Sequence, residues 1–72
     1  MLGDGTYDAV VVDVGPGDDG AVAVDLAIAG GPHRGDVVRV VERDHEGDPI
    51  ELLGLPATIT VVDGQPSVRF EP

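Results

Sequence analysis

The sequence has no cysteine, no lysine and no tryptophan, and Tyr7 and Phe70 are its only Phe or Tyr residues. Without cysteine, neither a disulfide nor a thiolate zinc site can supplement the core of this 72-residue chain. A chain of this size buries only about 60% of its unfolded surface. We therefore expect one marginally stable domain over residues 1–72, in a reducing compartment. The apolar residues are mostly Val, Ile and Leu, which favours an all-β fold.

The sequence also lacks a run of the 18 or more apolar residues that a membrane span needs, and it starts without a basic, apolar leader. Fourteen carboxylates against four arginines give a formal charge of −10 at pH 7. This charge repels polyanions at long range and disfavours nucleic acid and anionic membranes. It is also typical of GC-rich coding or of a salt-adapted cytoplasm. We expect a cytoplasmic chain with no membrane partner.

Five segments carry strand signals. The second has strict alternation, with Val22, Val24, Leu26 and Ile28 on one face and alanines around Asp25 on the other. The third is apolar on both faces except at Arg39, so we expect both of its faces to be partly covered. The predicted strands are 5–14, 21–29, 37–43, 57–62 and 66–70.

The segment between the third and fourth strands predicts a short helix over residues 49–53. Asp48 is a suitable N-cap, Pro49 fits the first helical position, and Gly54 fits the position after the helix. Ile50 and Leu53 lie three residues apart, so we expect them to share a face and to close one open end of the sheet.

The last two strands flank Asp63-Gly64-Gln65, and Asp-Gly between apolar alternations is the strongest short hairpin signal. Pro66 at the start of the fifth strand predicts an edge position there, because proline cannot donate a ladder hydrogen bond.

The order β-β-β-α-β-β, with "AGGPHRGDVV" leading from the second strand into the third, resembles small OB-fold proteins, including phage-type single-stranded-DNA-binding ones. The resemblance implies a five-stranded, partly open Greek-key barrel. The alternative is an SH3-like small barrel. That fold usually carries its short helical turn between the last two strands, where this chain has only Asp-Gly-Gln.

The stretch from Gly15 to Gly20 formally matches the dinucleotide fingerprint G-x-G-x-x-G. That motif requires a helix to begin at the glycines, because the pyrophosphate binds the free N–H groups of the helix. Here the alternation that follows predicts a strand, and Asp18 and Asp19 would repel a phosphate. The spacing of a calcium-binding EF-hand is absent as well. We interpret the stretch as a hairpin loop without a cofactor.

Catalytic and metal signals are weak. His33 and His45, near Asp44 and Asp48, lack a metal-ligand spacing, and we interpret both histidines as exposed loop residues. Ser67 is the only serine and has no evident histidine partner. We also expect a barrel this small to lack the pocket of roughly 300 Å³ that small-molecule sites use. We predict no enzymatic activity, no metal, no cofactor and no small-molecule substrate.

An OB-like fold implies a binding face on strands two and three, bounded by the first and last hairpin loops. The alanine face of strand two suggests a flat surface for a protein partner, and we expect a small acidic protein-interaction or accessory subunit. The alternative is an OB-type protein that binds single-stranded nucleic acid with aromatic and arginine side chains; DNA mimicry is a minor option. The candidate binding residues are Tyr7, Ala23, Asp25, Ala27, Arg34, Arg39, Arg43 and Arg69.

Overall fold

A computed structural model describes residues 2–43 and 47–71 of the chain. Within these residues it is an all-β structure: five antiparallel strands form one sheet that curls into a half-barrel, with the strand order β3-β2-β1-β4-β5. The all-β prediction is confirmed. The strands are β1 (Gly5–Pro16), β2 (Val22–Ile28), β3 (Val37–Glu42), β4 (Pro56–Val62) and β5 (Gln65–Phe70).

The core lies on the inner, concave face of the sheet. Strand β2 alternates buried and half-buried residues along its whole length, as its apolar alternation predicts. Leu26, Val24 and, from β4, Ile59 are completely buried, and Val11 of β1 is 2% exposed. One layer of aliphatic side chains inside a curled sheet therefore supplies most of the apolar burial that holds this fold together.

The glycine-rich stretch that resembles a dinucleotide motif is the β1–β2 hairpin loop, as predicted. A 3-10 turn occupies Asp18–Gly20, and strand β2 rather than a helix follows it. The Gly17 amide donates to the Ala21 carbonyl over 2.8 Å, which closes the loop. Ala21 is buried in this loop, so it does not belong to the outer face of β2 where the sequence alternation placed it.

The predicted short helix is a single 3-10 turn over Pro49–Leu52. Its caps are those the sequence predicts: the Asp48 carboxylate accepts from the Ile50 amide over 3.0 Å, and Gly54 has a φ of +81°. The prediction that Ile50 and Leu53 close one end of the sheet is wrong, because these side chains are 61% and 43% exposed. Leu52 is buried instead. Side chains three apart in a 3-10 turn are eclipsed. Leu53 follows the turn in an extended conformation, and both Ile50 and Leu53 are open to solvent.

The Asp-Gly hairpin is confirmed at the β4–β5 turn, where Asp63 and Gly64 both have positive φ, +51° and +76°. Both residues of a type I′ turn require this conformation. The Asp4 carboxylate accepts from the amides of Asp63 and Gly64 over 3.0 and 3.1 Å. The segment before β1 therefore ties down a turn nearly sixty residues away in sequence. Strand β5 is an edge strand, as Pro66 predicts.

The half-barrel is open between its two edge strands. In the part of the chain that the structure describes, β3 and β5 do not pair, and an apolar groove of about 330 Å³ lies between them. Leu2, Val37, Val38, Val61, Gly64 and Pro66 line this groove. None of the described helical segments is long or apolar enough to cross a membrane.

Candidate functional site

An apolar surface lies on the outer, convex face of β1, β2 and β3. Directly opposed residues of antiparallel strands share a face, and the register pairs Val10 with Ala27 and Ala27 with Val37. Ala23 of β2 is likewise opposite Val41 of β3. We call this surface the outer patch. It comprises Val10, Val12, Ala23, Ala27, Val37 and Val41.

The large side chains of the outer patch are open to solvent. Val37, Val12 and Val41 are 61%, 50% and 48% exposed, and Val10 is 37% exposed. Both faces of β3 were expected to be partly covered. The outer face is much less covered than the inner one, since Val37 and Val41 are exposed whereas Val40 is 8% exposed. No element of the described chain packs there, since the curled sheet forms its core on the concave side alone. Aliphatic side chains grouped in this way are typical of a docking surface.

An ion pair lies within the outer patch. Arg39 donates from Nε to Asp25 Oδ1 over 2.8 Å and from Nη2 to Asp25 Oδ2 over 3.2 Å. The two residues are directly opposed on β3 and β2. The hydrogen bonds from Arg39 are the main reason that the pKa of Asp25 is lowered, against a weaker opposing effect of burial. Asp25 likewise raises the pKa of Arg39, so both groups stay ionised at neutral pH.

A β-bulge shapes the patch at β1. The register between β1 and β2 shifts between Val11 and Asp13, so that Val12 is the extra residue. A bulge leaves one residue unpaired and re-aims the side chains around it. As a result Val11 is buried on the inner face while both Val12 and Asp13 are exposed. The bulge thus brings Asp13, in place of Val12, opposite Asp25 on the outer face, and Val12 stays exposed beside it.

The structure brings together four of the eight predicted binding residues. Three of them, Ala23, Asp25 and Ala27, lie on the outer face of β2. The fourth, Arg39, lies on the outer face of β3 directly opposite Asp25. Arg43 follows the end of β3 and is exposed, whereas Arg34 lies in the β2–β3 turn.

Arg69 and Tyr7 are separated from this group. Arg69 is on β5, where it is opposite Thr58, and β1 and β4 lie between β5 and β2. Tyr7 belongs to the inner face of β1, packs against the core, and donates its hydroxyl to the Gly3 carbonyl. Its ring meets His33 edge to face, with 5.9 Å between the centroids. A base-stacking platform on the outer face therefore cannot include Tyr7 in this position.

The histidine predictions have different outcomes. His33 is partly buried rather than exposed, because it packs against Tyr7 and its Nδ1 lies 3.2 Å from Asp36 Oδ2. His45 and Asp44 lie outside the described residues. Across residues 2–43 and 47–71, no three His, Asp or Glu side chains are grouped so that they could hold a metal ion.

The expectation that so small a barrel would lack a concavity of about 300 Å³ is wrong. Besides the groove between β3 and β5, a second groove of about 400 Å³ runs between the β1–β2 hairpin and the 3-10 turn, beside Val14, Val22 and Ile50. Both grooves are lined mainly by aliphatic side chains. Among the described residues that line them, neither groove has a nucleophile with a neighbouring base, which acyl or phosphoryl transfer would need.

Comparison with known proteins adds no family to this geometry. No protein-family model, curated protein or solved structure matches the chain.

Sequence reasoning missed the four exposed valines of the outer patch. The signal was present in "AVVVDV" of β1 and "VVRVV" of β3, because a strand with consecutive apolar residues carries apolar side chains on both faces. Such a run equally fits a strand buried on both sides. Only the one-layer architecture shows that the second face is open.

Proposed function

We propose that this chain is a non-enzymatic protein-interaction module that binds a partner protein through the outer patch. The observation that carries the proposal is the grouping of exposed valines with Ala23 and Ala27 on one continuous sheet face. Small residues in the centre keep that face flat, so another backbone can approach it closely. The valines around them supply apolar area that becomes buried on contact.

The Arg39–Asp25 pair gives this surface a polar centre without an excess charge. A docked partner can cover the pair while its hydrogen bonds remain satisfied, which limits the cost of removing it from water. The exposed Asp13 of β1 lies directly opposite Asp25, so it adds one negative charge beside the pair. The partner surface that fits is therefore flat and apolar, with a cationic side chain placed to meet Asp13.

We also propose that the fold is of the OB type. The central strand β1 pairs with both β2 and β4, and the 3-10 turn lies between β3 and β4. Both features support a five-stranded Greek-key barrel that is open between its third and fifth strands. In that fold the face of strands two and three is the binding face, and β2 and β3 supply four of the six residues of the outer patch.

Single-stranded nucleic acid is the weaker candidate. Such a site combines stacking rings with a basic track. Tyr7 faces the interior, Arg39 is paired with Asp25, and Arg69 is on a distant strand. These placements and the charge of −10 favour a protein partner.

Site-specific photocrosslinking in the cells that naturally produce the chain tests the proposal. A photoreactive residue at Val12 is expected to yield a discrete crosslinked protein, whereas the same group at Ser67, an exposed residue of β5, is expected to yield none. Addition of Val10→Lys should abolish the product. Equal products at both positions, or no product at Val12, would rule the outer patch out as the binding face.

A further inference from the structure

The groove of about 400 Å³ lies at one end of the half-barrel, between the β1–β2 hairpin and the 3-10 turn. We call it the end groove. One wall consists of the end of β1, the hairpin loop and the start of β2, and the other wall consists of residues 48–50. Val14 and Val22 in the first wall pack against the core, so the end groove is on the inner side of the sheet, away from the outer patch. Ile50 in the second wall is 61% exposed, so it presents aliphatic surface that a ligand can cover.

Backbone hydrogen bonds hold both walls of the end groove in place. In the hairpin wall, the Gly17 amide donates to the Ala21 carbonyl over 2.8 Å. The turn is fixed to β1 on its far side, because the Val11 amide donates to the Leu55 carbonyl over 3.0 Å and the Gly54 amide donates to the Val11 carbonyl over 2.9 Å. A groove whose walls are already ordered loses little conformational entropy when a ligand binds.

Negative charge surrounds the end groove. The two segments that form it, residues 14–22 and 47–54, contain four carboxylates and no arginine, lysine or histidine. The exposed carboxylates are Asp18 and Asp19 on the hairpin loop and Asp48 and Glu51 on the turn. An apolar cleft between carboxylates favours a ligand that combines aliphatic groups with positive charge, because complementary charge speeds the encounter and excludes other partners.

We propose that the end groove binds an extended segment of a basic partner protein, in which aliphatic side chains are flanked by lysines or arginines. The aliphatic side chains pack against Val14, Val22 and Ile50, and the cations face the carboxylates of the hairpin loop and the turn. Charge complementarity selects this occupant, since a second copy of the chain carries a charge of −10 and is repelled, as are nucleic acids and anionic lipids. The proposal goes beyond the outer patch and does not depend on it.

Titration of the isotope-labelled full chain with three matched heptapeptides tests the proposal. The first probe is Lys-Arg-Leu-Val-Leu-Arg-Lys. The second has glutamate at its four charged positions, and the third has Ser-Gly-Ser in place of Leu-Val-Leu. We expect the first probe to shift the backbone amides of residues 14–22 and 47–54, with a dissociation constant below about 1 mM that rises with salt. The other two probes each lack one of the two required properties and should bind at least about tenfold more weakly.

Ile50→Lys tests the aliphatic wall. It replaces apolar surface by a charge that repels the first probe, and it should weaken binding at least about tenfold. Val62→Lys is the matched control, because Val62 is 60% exposed and the charge change is the same, but Val62 lies at the end of β4. It should change the affinity by less than about twofold. Circular dichroism of both variants verifies the fold.

Asp19→Asn tests the acidic rim. Asp19 and Asp63 have similar backbone conformations, with φ of +56° and +51°, and each precedes a glycine, so Asp63→Asn is the matched control at the β4–β5 turn. We expect Asp19→Asn to weaken binding of the first probe about two- to fivefold, the effect of one exposed charge contact, and Asp63→Asn to change it less than twofold.

Three results would overturn the proposal. They are unchanged amide shifts with the first probe at millimolar concentration, equal affinity for the first probe and either of the other two, and equal losses for Ile50→Lys and Val62→Lys. Val12→Lys should abolish partner binding at the outer patch and leave binding of the first probe intact, so the two proposals fail separately.

Discussion

The outer face of the sheet has two chemically different halves. On β2, β3 and the second half of β1 it presents the outer patch. On β4 and β5 it presents Thr58, Thr60, Ser67 and Arg69, with Val62 beside the turn, and the first half of β1 adds Thr6 and Asp8 to this polar half. Both halves cover the same core on their inner side, with Leu26 under one and Ile59 under the other. Folding makes the same demand on the inner faces of both halves and no apolar demand on either outer face.

This difference separates composition from function. A compositional bias towards Val and Ala would act on all five strands, yet the outer positions of β4 and β5 are mostly polar. Exposed apolar side chains that fold stability does not need, grouped on one half of a surface, are the pattern of an interaction site. This contrast supports the proposal that the outer patch is a binding surface.

The largest expected effect contrasts the inner face with the outer face. Leu26→Ala removes a completely buried side chain and should lower the free energy of unfolding by about 2–5 kcal/mol. Val12→Ala, at a side chain that is 50% exposed, should change it by no more than about 0.5 kcal/mol. Urea unfolding measures both values. A cost for Val12→Ala close to that of Leu26→Ala would show that the outer patch serves stability.

A smaller loss of stability is expected from the contact between the N-terminal segment and the β4–β5 turn, in the polar half of the sheet. Asp4→Ala removes the acceptor for the amides of Asp63 and Gly64 and should cost about 1 kcal/mol. Amide hydrogen exchange should then quicken at the β4–β5 turn and stay unchanged in β2 and β3. Uniform quickening across all strands would contradict this local role.

A still smaller effect concerns pH and the Arg39–Asp25 pair. The pKa of Asp25 is lowered from 3.8 in the folded chain, chiefly by the hydrogen bonds from Arg39. A lowered folded-state pKa contributes stability above the unfolded value, and this contribution is lost as pH falls below it. Wild-type protein should therefore lose more stability than Asp25→Asn when the pH falls from about 5 to about 3. Parallel losses would show that the pair does not stabilise the monomer.

No effect is expected from single-stranded DNA on either half of the outer face. A short mixed-sequence oligonucleotide at millimolar concentration and low salt should leave the amide chemical shifts unchanged. This concentration is well above the dissociation constants that are typical of non-specific binding to nucleic acid. Salt-sensitive shifts at Arg39 and Arg69 would restore the nucleic-acid alternative and break the assignment of the outer patch to a protein partner.

Much of this fold was predictable from local signals. In each of three places, one type of residue meets the requirement of one backbone conformation. These places are the alternating strand around Leu26, the Asp63-Gly64 turn and the edge strand that begins near Pro66. The burial of Leu52 was not predictable in this way. The helical spacing pairs Ile50 with Leu53, and which side of a single turn faces the core depends on where β1 passes it.

The outer patch required information that a sequence does not hold. Strand β3 is apolar on both faces whether one face is covered or both are. The bulge that places Asp13 beside Val12 on the outer face of β1 is announced by no residue type. The Arg39–Asp25 pair depends on the register between β2 and β3. That register places Asp25 directly opposite Arg39, which follows it by fourteen positions in the sequence. The sequence could therefore nominate Asp25 and Arg39 only separately.

The most direct test of the account is the affinity of the photocrosslinked partner for two matched variants, measured by calorimetry. Val12→Lys places a charge in the outer patch, and Thr58→Lys places the same charge on the polar half of the same face. We expect Val12→Lys to weaken binding by at least about a hundredfold, because it buries an unpaired charge in an apolar contact, and Thr58→Lys to change it by less than about twofold. Equal losses for the two variants, or a larger loss for Thr58→Lys, would contradict the assignment of function to the outer patch.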